Sequence, residues 1–252
     1  MSLQLSQLVS QLDQLLAVED FKDYCPNGLQ IEGRPEVKRL ITGVTASQAL
    51  IDRAVERKAD AILVHHGYFW KGEPLPLTGM KGRRIKTLMQ ENISLIAYHL
   101  PLDAHPELGN NQQLARLLGI QVTGVMDSPS WPLGLVGRLA QAMSGNDFCE
   151  LLTKQLERKP LHLVGHSRPI QKLAWCTGSA EGGIYRAAEL GVDAYISGEV
   201  SEKTLHEARE LGVDYFAAGH HATERYGVKA LGEWVAQQWG VEQEFIDLDN
   251  PV

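Results

Sequence analysis

Two stretches of this chain are written on one plan, and that repetition limits what it can fold into. A shift of 133 residues lays 40–66 on 173–199. Ile51-Asp-Arg-Ala54 then meets Ile184-Tyr-Arg-Ala187, and Lys58-Ala-Asp-Ala61 meets Gly191-Val-Asp-Ala194. A shift of 121 residues lays Leu95-Ile-Ala-Tyr-His99 on Phe216-Ala-Ala-Gly-His220. Each copy alternates short apolar runs with stretches of helical period, the pattern of βαβ units around mainly parallel sheets.

The runs at 40–44, 61–64 and 95–98 in the first copy read as buried strands, as do 172–176, 194–197 and 215–218 in the second. Helices are predicted over 3–16, 47–58 with Ser47 as N-cap, 83–91, 111–118 closed by Gly119, 148–156, 184–190, 201–211 and 228–239. Shorter strands are expected at 135–138, 161–164 and 244–246. The turn-rich segment 125–132 carries two prolines and is the candidate boundary. The expectation is therefore an α/β chain of two linked, internally similar lobes, residues 1–125 and 126–252, with the last helix and strand returning to the first lobe.

Composition narrows the function classes. The chain has 252 residues, 44% hydrophobic and 22% charged, which suits globular domains with sizeable cores. The net charge of −7 comes without a long basic run, so nucleic-acid binding is not expected. Three scattered cysteines, none in a CxxC pair, argue against a disulfide framework and against a thiolate zinc site. The amino terminus has no signal-peptide pattern, and no run approaches the ~20 apolar residues of a membrane span. The expected location is cytoplasmic.

The chemistry-bearing residues sit where open α/β sheets build sites, at the carboxyl ends of the strands. One apolar run ends in His65-His66, and another leads into His220-His221. Neighbours on a regular strand point to opposite faces. At a strand end, where the backbone turns, His65 and His66 can instead serve two different metals. Asp103 follows His99 by four residues, and Glu224 follows His220 by four. Either carboxylate can complete a shell or bridge, and His220 adds a third imidazole. Three neutral imidazoles and two carboxylates against two divalent ions leave a charge of +2, which favours a bridging hydroxide and an anionic ligand. Imidazole ligation selects iron, zinc, manganese, nickel or cobalt over calcium and magnesium.

At these residues the chain resembles the Nif-three-like dinuclear-metal-centre family, often labelled type-two GTP cyclohydrolase I homologues. The matching motifs are Asn27-Gly-Leu-Gln30, Gly43-Val-Thr-Ala-Ser47, Val64-His-His-Gly-Tyr68, His99-Leu-Pro-Leu-Asp103, Gly109-Asn-Asn111, Ser197-Gly-Glu199 and Gly219-His-His-Ala-Thr-Glu224. The resemblance covers nearly the whole chain. It implies a two-metal site in the cleft between two α/β lobes, with His65, His66, Asp103, His220 and Glu224 as ligands. It also implies a ring-shaped homohexamer built from dimers. The chain departs from the family pattern at Gly67, where many members have proline, and at His221, where many have tyrosine. Its connector is too short for the extra domain that some members carry.

The function expected on this basis is metal-dependent hydrolysis of a nucleotide or related heterocycle, as in GTP cyclohydrolase-like ring opening or the processing of damaged nucleotides. The alternatives are a non-catalytic scaffold for metal delivery or ligand sensing, and a purely structural metal. His99 and Glu199 are the candidate proton-moving residues. For His99 the other reading is a structural bond to the Asp103 turn; for Glu199 it is a cap on the helix near Ser201. The Gly-rich turn Thr177-Gly-Ser-Ala-Glu-Gly-Gly183 either cradles a phosphate or is an ordinary tight βα turn. Tyr68, Phe69 and Trp70 either stack on a base or pack between subunits. His162, His166 and His206 read as structural.

Overall fold

A computed structural model describes residues 3–127 and 132–252. In chain order the elements are β1 (Leu3–Gln4), α1 (Leu5–Leu15), β2 (Gly28–Ile31), β3 (Glu36–Val37), β4 (Arg39–Thr45), α2 (Gln48–Glu56), β5 (Ala61–His66), α3 (Gly79–Glu91), β6 (Ser94–Ala97) and α4 (Leu100–Ala104). There follow α5 (Asn110–Leu118), β7 (Gln121–Val125), β8 (Leu135–Met143), α6 (Gly145–Leu156), β9 (Leu161–Leu163), β10 (Ile170–Trp175), α7 (Ile184–Glu189), β11 (Ala194–Ser197), α8 (Thr204–Leu211), β12 (Asp214–Ala217), α9 (His220–Trp239) and β13 (Glu242–Phe245).

The chain divides into two units. One holds residues 1–108 and 227–249, the other 109–226 and 250–252. The division after residue 108 differs from the boundary expected after 125. The reason is β7, which pairs antiparallel with β8 and so ties residues 121–125 to the second sheet. Of the turn-rich segment 125–132, residues 128–131 lie outside the described residues.

In the first unit, β4, β5 and β6 run parallel, β13 joins β4 in parallel, and β2 closes the other edge antiparallel to β6. The middles of the three central strands β4, β5 and β6 are mostly apolar and buried because both sheet faces are covered there, whereas the edge strands β2 and β13 carry polar, partly exposed residues. Leu40, Val44, Leu63 and Ile96 pack with Leu5, Leu8 and Leu12 of α1 and Val228, Leu231 and Val235 of α9. Ile41, Ile62, Val64 and Leu95 point the other way, toward Leu50 and Ile51 of α2 and Ile85 and Leu88 of α3. Burying each such side chain contributes about 1.5–3 kcal/mol. Ser47 caps α2, its Oγ accepting from the Leu50 amide at 3.2 Å.

The second unit repeats the scheme. β10, β11 and β12 are parallel, and β9 lies antiparallel beside β12 as β2 does beside β6. The long β8 adds an antiparallel strand next to β10. Leu173, Trp175, Ile196 and Phe216 face α5 and α6, while Ala174, Tyr195 and Tyr215 face α7 and α8.

The repetition reaches individual hydrogen bonds. Asp60 Oδ2 accepts from the amides of Lys38 and Arg39, and Asp193 Oδ2 accepts from those of Gln171 and Lys172, the residues 133 positions on. Arg34 pairs with Asp60 at 3.0 Å, and Arg168 with Asp193 at 3.2 Å. Each of these carboxylates anchors the start of the first parallel strand to the start of the second. Among the described residues no helix is long and apolar enough to cross a membrane.

Candidate metal centre

Strand β5 delivers His65 fully buried at its carboxyl end. The ring is locked from behind, since His65 Nδ1 lies 2.9 Å from the Tyr98 carbonyl oxygen. A carbonyl only accepts, so Nδ1 carries a proton, and in the neutral ring the lone pair is on Nε2. Nε2 lies 3.5 Å from Asp103 Oδ1. Two buried acceptors facing each other across that gap suit a shared cation. Donors 3.5 Å apart and each about 2.1 Å from a common ion subtend roughly 110°, a tetrahedral angle.

His66 is held in the same style, with Nδ1 3.1 Å from Thr45 Oγ1 on the neighbouring strand. His99 is oriented by Asp23, whose Oδ1 lies 3.0 Å from its Nδ1. Asp23 is itself fixed by the Leu100 amide and by Asn27 Nδ2, both at 3.0 Å, and Asn27 Oδ1 accepts from the His99 amide at 2.7 Å. Burial works against the Asp23 charge. Hydrogen bonds from His99 and Asn27, the His99 charge and the Leu100 amide outweigh it and hold the carboxyl well below the usual range. His65, His66 and His99 each offer a ring nitrogen within 4.8 Å of the others, and Asp23, Cys25 and His99 form a similar group. Burial, reinforced by Asp23 and Asp103, pushes the Cys25 thiol far up, so it stays protonated in the metal-free protein.

In the second unit His220 and Glu224 occupy the first turn of α9, four residues apart and therefore on one face. His220 Nε2 lies 3.0 Å from Glu224 Oε2, and its Nδ1 lies 2.6 Å from Glu199 Oε1. Burial opposes the imidazolium, but Glu224 and then Glu199 outweigh it and raise the His220 pKa to about 9. Gly178 passes so close that a Cβ there would overlap Glu224 Oε1, and its φ of +69° already favours glycine. Asp103 stands in the matching place of the first unit. The His99 carbonyl accepts from the amides of Leu102 at 2.9 Å and Asp103 at 3.1 Å, so α4 opens directly after His99, whereas α9 opens at His220 itself.

The donor chemistry fits first-row ions. Each of the four imidazoles has Nδ1 engaged by an oxygen, the arrangement that fixes a metal-binding histidine and raises its basicity.

Comparison with known proteins places this architecture. The family model described as Duf34/NIF3 (NGG1p interacting factor 3) matches residues 3–251. The chain belongs to this family. A Pseudomonas aeruginosa relative called GTP cyclohydrolase 1 type 2 homolog is 56% identical over 253 residues, covering 100% of both chains. A Vibrio cholerae relative of the same name is 54% identical, covering 98% of each. A solved structure described as protein ybgI, of unknown function, superposes with a TM-score of 0.96 at 49% identity, over 99% of this chain and 100% of that one.

Several expectations change in this NIF3-family chain. The final helix, expected at 228–239, begins at His220, so the His220–Glu224 pair is a helical turn rather than a strand end followed by a loop. Glu199 is not a helix cap: α8 starts only at Thr204, and the Glu199 carboxylate is bonded to His220. The Gly-rich turn has four of its amides already engaged within the protein. Its amides at Thr177, Gly178 and Ala180 are spent on Asn111, Thr223 and Ser197 side chains, and that at Gly183 on the Ala180 carbonyl.

The 68–70 run splits. Tyr68 is a core residue whose hydroxyl donates to the Ala46 carbonyl at 2.7 Å, whereas Phe69 is exposed. Gly67 leaves room for Gln30, whose side chain accepts from the Tyr68 amide at 2.7 Å and donates to its carbonyl at 3.2 Å; a Cβ would collide with it. Sequence reasoning missed Asp23, Thr45 and the Tyr98 carbonyl as orienting groups. The signal available was faint, a lone carboxylate and a hydroxyl far from the histidines in sequence.

Proposed function

We propose that this protein is a metal-dependent hydrolase acting on a nucleotide or related heterocycle, with two divalent first-row ions held by His65, His66, Asp103, His220 and Glu224. The observation that carries the reading is His65 Nε2 facing Asp103 Oδ1 at 3.5 Å while the Tyr98 carbonyl fixes the opposite ring nitrogen. When bound, two such ions supply Lewis acidity for activating water and offsetting the charge that develops on an attacked centre. The protein's own part is positioning. Tyr98, Thr45 and Glu199 hold the rings of His65, His66 and His220. His99, steadied by Asp23, is placed to take up or release a proton at Nε2.

The names of the relatives support a guanine nucleotide as the first substrate to assay. The remaining parts of the reading are a cytoplasmic location and a homohexamer built from dimers, the latter checked by light scattering. The central experiment combines elemental analysis with turnover of GTP and damaged purine nucleotides. Two ions per chain and hydrolysis abolished in His65→Ala and Glu224→Ala support the proposal. Bound metal with no product from any of these substrates favours a metal-delivery or sensing scaffold.

A further inference from the structure

Beside the histidines of the first unit stands a partly exposed aromatic surface. Tyr24 is 52% exposed and Trp70 is half-buried. Their rings are 5.8 Å apart and inclined by 38°, so they lie open to one another rather than stacked. Both meet His99 edge-on, Trp70 at 5.0 Å and 86°, Tyr24 at 5.1 Å and 75°. Trp70 also lies 6.0 Å from the His66 ring. The surface is thus one ring away from the donors.

Its two loops are laced together before any ligand arrives. The Lys71 amide donates to the Tyr24 carbonyl at 2.7 Å, and the Tyr24 amide to Asp23 Oδ1 at 2.7 Å. Gln30 joins the Pro26 and Tyr68 carbonyls, and Trp70 Nε1 donates to the Gly67 carbonyl at 3.2 Å. Held rings lose little entropy when something settles on them, which is how rigid aromatics are used in binding surfaces.

We propose that Tyr24 and Trp70 form a stacking wall that receives the planar ring of the substrate and presents its edge to the metal-binding histidines. The inference rests on the proposed function and names its substrate class as a neutral or anionic planar nitrogen heterocycle. Aromatic faces also attract organic cations, but two adjacent dications repel them. Base–aromatic stacking tolerates any planar base, so the wall selects for a ring and leaves discrimination among bases to other groups.

The test compares guanosine monophosphate and uridine monophosphate with ribose 5-phosphate, which keeps the sugar phosphate and lacks the ring. Titration calorimetry of the metal-loaded protein is expected to show a preference of at least about tenfold for the nucleotides. Trp70→Leu and Tyr24→Leu keep apolar bulk without an aromatic face. Each should reduce the preference to threefold or less with metal content unchanged by elemental analysis, and Trp70→Phe should restore most of it. Equal binding of the three compounds by the wild-type protein, or a preference that survives in both leucine variants, overturns the wall. Failure of the metal reading is read separately, as absence of bound ions. The same titrations on metal-free protein then still report whether the ring is recognised.

Discussion

The two units share a skeleton down to single hydrogen bonds, yet their strand ends carry different chemistry. Asp60 and Asp193 make the same backbone contacts. The turns after α2 and α7 match as well. Lys58 and Gly191 both take the left-handed conformation, with φ of +55° and +61°. Each turn also closes through amides reaching back to Val55 and Ala54, or to Ala188 and Ala187. Where β5 ends in His65-His66, however, β11 ends at Ser197 and Gly198-Glu199 follow it. One copy places two imidazoles there, and the other places a carboxylate that orients an imidazole from elsewhere. Residues that start strands and close helices are held by backbone requirements common to both copies. Strand-end side chains face no such requirement and are open to divergence toward a site.

The comparison breaks most visibly at the equivalent carboxylates. Asp103→Asn and Glu224→Gln should each weaken metal binding by more than the about 10–100-fold that loss of an orienting partner costs, measured by chelator competition. A loss in one variant alone would mean that only one copy contributes a ligand. The orienting groups come next. Glu199→Gln should lower metal affinity by about 10–100-fold, and Thr45→Val by less, because a hydroxyl bond to imidazole is weaker than a carboxylate bond.

Asp60→Ala and Asp193→Ala each strip the acceptor from two amides, and urea unfolding should report a loss of about 1–3 kcal/mol for each. Unequal losses would show that the shared anchor has been taken over by other contacts in one unit.

Acid should then bear on both units, through Asp23 in the first and through Asp193 and Asp214 in the second. Burial raises the pKa of both Asp193 and Asp214, but backbone amides with Arg168, or His162 with backbone amides, outweigh it and lower both. A depressed folded-state pKa gives stability that is complete above the unfolded value near 3.8 and is lost as pH falls through the folded value. Urea midpoints should therefore drop between about pH 5 and pH 3, and the Asp193→Asn, Asp214→Asn double variant should flatten that slope. The smallest effect is at the matched turn. Lys58→Gly relieves a left-handed side-chain residue, as Gly191 already does, and should raise stability by up to about 1 kcal/mol.

Much of this was legible in the chain. Apolar runs such as 61–64 and 194–196 read as strands because a parallel sheet covered on both faces favours apolar residues at successive positions. Ser47 and Gly119 marked helix ends because their local backbone chemistry is self-contained. The tandem His65-His66 stood out because adjacent imidazoles after an apolar run have few structural uses. The start of α9 was not legible, since Gly219-His220-His221 before Gly227 looks like a loop until the Thr223 amide and hydroxyl are seen donating back to the Gly219 carbonyl.

By itself, the sequence determined the α/β alternation, the doubled plan and the residue types able to hold metal, because periodicity and donor chemistry are local properties. Tertiary structure alone decided which nitrogen each histidine presents. The Tyr98 carbonyl, Thr45, Asp23 and Glu199 lie 21 to 76 residues from the rings they hold. The parallel stacking of β4, β5 and β6, the antiparallel pairing of β2 with β6 after the Asp23 loop, and β11 beside β12 bring them within hydrogen-bonding reach.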